Sequence, residues 1–334
     1  MNRSNIVIYA NSSYSIGNGH VMRCLTLADY FKTKGANLTF MTDKSLAGNI
    51  SNLIAAKGYK ITQPSLENIP QDTNWLIIDN YDTDQVFESQ ARKYTKYIMV
   101  IDDLADRPHD CDLLLDQNLY INAETRYHDL VTENSTLLLG PKYALLRDEF
   151  LQERTNLRDK DGKVNRIFVN FGGTDPVDMT STTLGILKNY NIETDIIVGA
   201  NSAHLEKLKK TCANIANFNL HIQTPSIAKL MAKSDLAIAA GGSSVWERCC
   251  LGLPSIIVSI ADNQLELSET LEKQEMCFYA GFYSDYEIDK EISKLLNYCI
   301  NSPIMLETCS KEIMALSDGR GKEYVWEYIS YRQI

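Results

Sequence analysis

The residues from Gly241 to Ser255, Gly-Gly-Ser-Ser-Val-Trp-Glu-Arg-Cys-Cys-Leu-Gly-Leu-Pro-Ser, carry the clearest chemistry in this chain. Paired glycines let a ligand approach backbone N–H groups with no Cβ in the way, and a helix start gathers such groups around an anion. Gly241 and Gly242, with Ser243 or Ser244 as the helix cap, read as a seat for a diphosphate. Glu247 lies one turn further on, where a carboxylate accepts from the two vicinal hydroxyls of a ribose. Gly252 and Pro254 end the helix. Gly172-Gly173-Thr174 is a second glycine turn with donors for phosphate and has Pro176 near the first turn of the helix that follows, Ile227 can lie beside a uracil ring, and Asn263 with Gln264 follow the next strand. Each glycine turn taken alone is also explained as a tight strand-to-helix connection, and the segment 226–233 as an ordinary amphipathic helix.

A different chemistry sits near the start, in Ile16-Gly17-Asn18-Gly19-His20 with Arg23 and Cys24 one turn on. This is no dinucleotide fingerprint, because Met22 stands where the third glycine belongs. Instead the loop offers an imidazole at a helix start, where the positive end of the helix dipole disfavours imidazolium and leaves His20 able to accept a proton. A helix-start histidine bonded to backbone is the other reading. Asp79 and Tyr81, from Ile78-Asp79-Asn80-Tyr81, and Asp103, from Val100–Arg107, end strands on the same edge. With Gly17, Asn18, Gly19 and Arg23 they form a candidate sugar and water site, although a strand-end Asp also caps turns. Asp102-Asp103 has the look of a metal-binding pair, but the glycine turns already supply positive charge, so neither metal nor cofactor is expected.

His109, His128, His204 and His221 have no partner spacing and read as surface or structural residues. The eight cysteines include no CxxC pair and lie mostly in apolar segments, as reduced core residues of a cytosolic protein do. A net charge of −10 argues against general nucleic-acid binding, and no apolar run approaches membrane-spanning length, so the expected location is cytoplasmic, with no membrane partner.

Positioning these loops requires strands that end beneath them. Apolar runs at Ile6–Ala10, Leu38–Met41, Tyr59–Thr62, Trp75–Asp79, Ile98–Asp102, Asp112–Leu115 and Thr136–Leu139 alternate with helix-length segments, including one from about His20 to Lys34. A second series runs through Arg166–Phe171, Thr194–Gly199, Phe218–Gln223, Asp235–Ala240 and Ser255–Ile260, and from about Tyr286 the chain reads as helical. Repeated β-α-β with continuous apolar strands means parallel sheets covered on both faces. At 334 residues two cores are expected, joined through the charged segment Arg147–Lys163. The expected architecture is α/β: residues 1–150 as a sugar-binding, catalytic domain, 151–315 as a nucleotide-binding domain, and 316–334 as a terminal helix packing back on the first. His20 and Gly242–Glu247 would line opposite sides of a cleft.

Assembled, these motifs resemble the donor-nucleotide site of GT-B glycosyltransferases, particularly the peptidoglycan N-acetylglucosaminyltransferase. Nearly end to end the chain resembles the UDP-2,4-diacetamido-2,4,6-trideoxy-β-L-altropyranose hydrolase family of pseudaminic acid biosynthesis. The matching segments are Ile16–Cys24, Ile77–Tyr81, Ile101–Arg107, Cys111–Asn118, Leu139–Phe150, Phe171–Pro176, Gly241–Pro254 and Ala261–Gln264. The resemblance implies a GT-B fold of two Rossmann-like domains, metal-independent hydrolysis of a UDP-sugar with inversion at the anomeric carbon, and His20 as the base that activates water. Tyr9 and Asn11 depart from the family, which has Arg and Asp there, and so remove charge beside the expected sugar pocket. A GT-B transferase with another acceptor and a nucleotide-sugar sensor without chemistry are the competing functions.

Overall fold

The computed structural model describes residues 4–10, 19–43 and 48–332. The chain divides into two compact units, Met1–Leu146 with Arg320–Ile334, and Arg147–Gly319. The first is built on strands β1 (Asn5–Ala10), β2 (Asn37–Met41), β3 (Lys60–Thr62), β4 (Thr73–Asp79), β5 (Thr95–Ile101), β6 (Leu113–Asp116) and β7 (Thr136–Leu139), in the order β3-β2-β1-β4-β5-β6-β7. Every pairing is parallel. The unbroken apolar runs of β1, β4 and β5 follow from burial on both faces. Ile6, Ile8, Trp75 and Ile77 meet the helix Gly19–Thr33 and the terminal helix Gly321–Tyr331 on one face, while Val7, Tyr9, Leu76 and Ile78 build a second core on the other.

The second unit repeats the plan with β8 (Arg166–Asn170), β9 (Glu193–Val198), β10 (Phe218–Ile222), β11 (Leu236–Ala240), β12 (Ser255–Ser259) and β13 (Phe278–Phe282), in the order β10-β9-β8-β11-β12-β13. In open parallel sheets ligands bind beyond the carboxyl ends of the strands, where the strand order reverses. That reversal falls between β1 and β4 in the first unit and between β8 and β11 in the second. The four loops that leave these strands hold most of the residues singled out by sequence.

Three elements differ from expectation. The charged stretch after Arg147 is not a bare connection: Asp148–Arg154 is a helix of the second unit with Phe150 buried. Its Arg154 donates to the carbonyls of Cys250, Met314 and Ser317, tying together helices that would otherwise end with orphan acceptors. Edge strand β13, Phe-Tyr-Ala-Gly-Phe, escapes the sequence reading because only Ala280 of its residues is buried and its pairing with β12 slips at Ile257/Val258. The helix after β8 starts at Met179, not at Pro176. Among the described residues no helix is long and apolar enough to cross a membrane.

Candidate functional site

In the first unit three residues of one helix converge on one carboxylate. His20, Arg23 and Cys24 stand at i, i+3 and i+4, so they share a face, and that face meets Asp79 at the end of β4. Asp79 Oδ1 lies 2.5 Å from His20 Nδ1 and accepts from Arg23 Nη2 at 2.6 Å. Its Oδ2 accepts from Arg23 Nε at 2.6 Å and from the Cys24 thiol at 3.5 Å. Arg23 Nη2 also stands 3.2 Å from His20 Nδ1. A guanidinium can only donate and a carboxylate can only accept, so Nδ1 cannot serve both as acceptor for Arg23 and as donor to Asp79. The shorter contact to the anion decides the tautomer: Nδ1 carries the hydrogen, and the Nε2 lone pair is the ring's acceptor.

Around this dyad Arg23 Nη1 reaches Asp103 Oδ2 at 3.1 Å, the Tyr81 hydroxyl donates to Asp103 Oδ1 at 2.7 Å, and the His20 ring meets the Tyr81 ring edge-on, centroids 4.6 Å apart. Burial alone would raise the Asp79 carboxyl, but Arg23, and His20 after it, hold it well below the usual carboxylate range. Burial and the Asp103 charge push the Tyr81 phenol well up, so it stays a donor. Burial and Asp79 likewise raise the Cys24 thiol, which leaves it no nucleophile.

Several sequence assignments move. Asp79 is 0% exposed and fully engaged, so it orients the histidine rather than touching sugar or water. Arg23 is buried as well and acts through Asp79 and Asp103. Tyr81 and Asp103 are the partly exposed members, and Gly19 is exposed at the helix start. Gly17 and Asn18, like Asn11, lie outside the described residues. Tyr9 packs in the core on the sheet face opposite the His20 helix, its ring 5.6 Å from Phe87. Sequence reasoning missed Tyr120 and Arg126, which stack at 3.7 Å and donate to the Asp103 carbonyl at 3.0 and 3.3 Å, bracing the loop that carries Asp103.

Asp102 has the turn-capping part, accepting from Ala105 N at 2.8 Å. Below it the Tyr127 hydroxyl is 3.1 Å from Asp102 Oδ2 and 2.9 Å from Asp116 Oδ2. One hydroxyl has one hydrogen, so it can donate to only one of the two carboxylates, and a proton on the other would let that carboxyl donate back to the hydroxyl oxygen. Burial assigns that proton to Asp116, whose carboxyl is pushed up to about 7. A folded-state value raised above the unfolded one removes stability as pH rises between them, here at no more than about 1.4 kcal/mol per pH unit from roughly pH 4 to 7. Asp116→Asn keeps the neutral donor and is expected to erase this slope. Thermal melts at pH 4, 6 and 8 check it: the variant's advantage should grow with pH, and a constant offset removes the assignment.

In the second unit the two glycine turns leave β8 and β11. Gly241 is required sterically, since a Cβ there would stand 2.4 Å from Ser268 Oγ. Gly242 is half-buried and Ser243 exposed, with the Gln264 amide nitrogen 3.6 Å from where a Gly242 Cβ would be. The expected serine cap is not formed: Ser243 has helical φ and ψ and makes no side-chain cap bond, and Ser244 Oγ instead accepts from Arg248. Capping therefore does not consume the donors of this turn. At the other turn, Gly172, Gly173 and Thr174 are exposed and Gly172 has φ of +88°. The helix behind it is already capped, because buried Asp175 accepts from Met179 N and Thr180 N at 3.1 and 2.8 Å. Any anion there is left with the turn's own N–H groups, not the helix start.

Glu247 is 21% exposed and pairs with Arg147 at 3.3 Å, which also holds Glu149 at 3.0 Å. Burial raises its carboxyl and the Arg147 charge opposes that rise. Ile227 is half-buried at a helix start, and Asn263 is exposed in the short helix after β12. Of the remaining histidines, buried His109 pairs with Glu88 at 2.8 Å, His221 with Asp195 at 2.8 Å, and His128 is on the surface. All eight cysteines are buried.

No protein-family model matches the chain. Among curated proteins, the UDP-2,4-diacetamido-2,4,6-trideoxy-β-L-altropyranose hydrolase of Campylobacter jejuni is 29% identical over 80% of this chain and 96% of its own length. The chain is a homologue of that hydrolase. It is also 26% identical, over 87% of its length, to an uncharacterised protein of Methanocaldococcus jannaschii, of which it spans 63%. The crystal structure of MurG from Acinetobacter baumannii aligns over 99% of this chain and 100% of its own, with a TM-score of 0.69 at 12% identity. The two parallel-sheet α/β units of this chain, of seven and six strands, thus take the GT-B fold.

Proposed function

We propose that this chain hydrolyses a UDP-linked 2,4-diacetamido-2,4,6-trideoxyhexose, of the β-L-altro configuration or closely related, to UDP and free sugar with inversion at the anomeric carbon. The observation that carries the reading is the His20–Asp79 pair at the strand-order reversal of the first unit, an imidazole whose tautomer is fixed with its lone pair on Nε2. UDP is a good leaving group, so what the reaction lacks is a nucleophile. A base on the face opposite UDP takes a proton from water as it attacks, and inversion follows from that single displacement. Tyr81 and Asp103 orient water or sugar hydroxyls. Gly242, Ser243 and the 172–174 turn receive the diphosphate, Ile227 the uracil, and Asn263 and Gln264 flank the nucleotide. Homology to the Campylobacter hydrolase supports the substrate class.

Incubation of the protein with the UDP-sugar alone tests the reaction: stoichiometric free sugar is expected, its first-formed anomer inverted. UDP release only when an acceptor hydroxyl is added would make it a transferase, and binding without turnover a sensor. Glu247→Ala is expected to weaken UDP and substrate together, by about 1.5–3 kcal/mol for a lost charge-assisted bond to ribose. Calorimetry with UDP and 2′-deoxy-UDP decides this, since the variant should bind both alike; unchanged UDP affinity would remove Glu247 from the ribose.

A further inference from the structure

Arg248 is 1% exposed, and the hydrogen bonds it makes among the described residues all end on neutral groups. Nε donates to Ser255 Oγ at 2.9 Å, Nη1 to Ser244 Oγ at 3.0 Å and Nη2 to the Ala240 carbonyl at 3.0 Å. Ala240 ends β11 and Ser244 begins the next helix, so one guanidinium spans the turn Gly241-Gly242-Ser243 from beneath and grips both of its ends. A guanidinium taken out of water costs a great deal unless it is compensated, and a carboxylate partner is the usual compensation. The neighbouring Glu247 turns instead to Arg147. Glu247 acts on Arg248 only through space, so no anion is in hydrogen-bond contact with the guanidinium beneath this turn, whereas a packed apolar side chain would fill the same volume with no desolvation penalty.

We infer that Arg248 is a positioning residue for the diphosphate: its buried charge is left for the anion that sits on the turn above it, and its two-ended grip holds that turn's N–H groups in place. This rests on the UDP reading given above. The consequence is selective. Affinity for the diphosphate depends on Arg248, and affinity for the nucleoside does not, because a base and ribose carry no charge for the guanidinium to meet.

The test compares UDP with uridine by competition calorimetry on the wild-type protein, Arg248→Gln and Arg248→Lys, with thermal melts alongside. Gln keeps hydrogen-bonding groups and removes the charge, whereas Lys keeps the charge and loses the fork. In Arg248→Gln, UDP affinity is expected to fall about tenfold to a hundredfold while uridine affinity holds within about twofold. Arg248→Lys should retain most of the preference for UDP. A purely structural role would lower UDP and uridine together, and an unchanged UDP-to-uridine ratio in Arg248→Gln would equally overturn the inference while leaving the UDP reading intact. If Arg248→Gln does not fold, loss of the UDP preference in folded Arg248→Lys overturns it. A wild-type protein that does not prefer UDP to uridine sinks the underlying reading, and is seen before any variant is made.

Discussion

Replacing His20 with Asn is expected to lower kcat by about 10²–10⁴, the range for losing a general base, with UDP affinity and folding stability nearly unchanged. The geometry makes this substitution clean. The Asn side-chain nitrogen can occupy the place of Nδ1 and still donate to Asp79 Oδ1, so the buried carboxylate keeps a donor there beside Arg23. Only the Nε2 lone pair is deleted. Because that lone pair acts on water in the transition state and not on bound UDP, kcat and kcat/KM should fall together. In ¹⁸O-labelled water the wild-type product should carry the heavy oxygen in the sugar. Label in UDP would mean attack at phosphorus, and near-wild-type turnover by His20→Asn would leave His20 a structural residue.

Much of the fold was legible because its signal is local. A strand buried on both faces must be a continuous apolar run, and those of β1, β4, β5, β8, β11 and β12 stand out against their helical neighbours. β13 carries no such run, because a partly exposed edge strand is under no demand to be apolar throughout. Loop chemistry was legible in residue type but not always in direction. Sequence marks Asp79 and Asp103 alike as strand-end carboxylates, and only packing separates them, one sealed beneath His20, Arg23 and Cys24 and the other partly open beside Tyr81. A signal was available: positions 20, 23 and 24 share a helix face, and a buried arginine on that face demands an anion opposite. Asp175 was hidden for a related reason, since its cap on the helix at Met179 needs the bend that Pro176 and the left-handed Asp178 impose. Arg248, which no sequence pattern singles out, is buried beneath a glycine turn.

Asp79→Asn is expected to damage both rate and stability, and the two losses have separable causes. The carboxylate accepts four bonds, two at each oxygen. An amide must give up one oxygen. With its nitrogen at the Oδ1 position it would face Arg23 Nη2 and the Nδ1 hydrogen of His20; at the Oδ2 position it would face Arg23 Nε and the Cys24 thiol. The second arrangement preserves the His20 tautomer, so the base is still correctly presented, but the imidazolium formed as water loses its proton no longer has an anion beside it. A rate loss on the order of 10²–10⁴ follows from that missing charge. The buried Arg23 meanwhile keeps only Asp103 as its anion, at 3.1 Å, and breaking a buried pair from one side costs about 3–5 kcal/mol. The pH dependence of that cost has a definite sign. Arg23 and His20 outweigh burial and depress Asp79, so its contribution is complete above the unfolded carboxylate value of about 4 and is lost only as pH falls toward the lower folded value. Melts of wild type and variant should therefore converge in acid, as pH falls below the unfolded carboxylate value. A variant that is folded, less stable in just this way, and yet turns over at the wild-type rate would show that Asp79 serves the fold of the first unit and leaves the proton transfer to His20 alone.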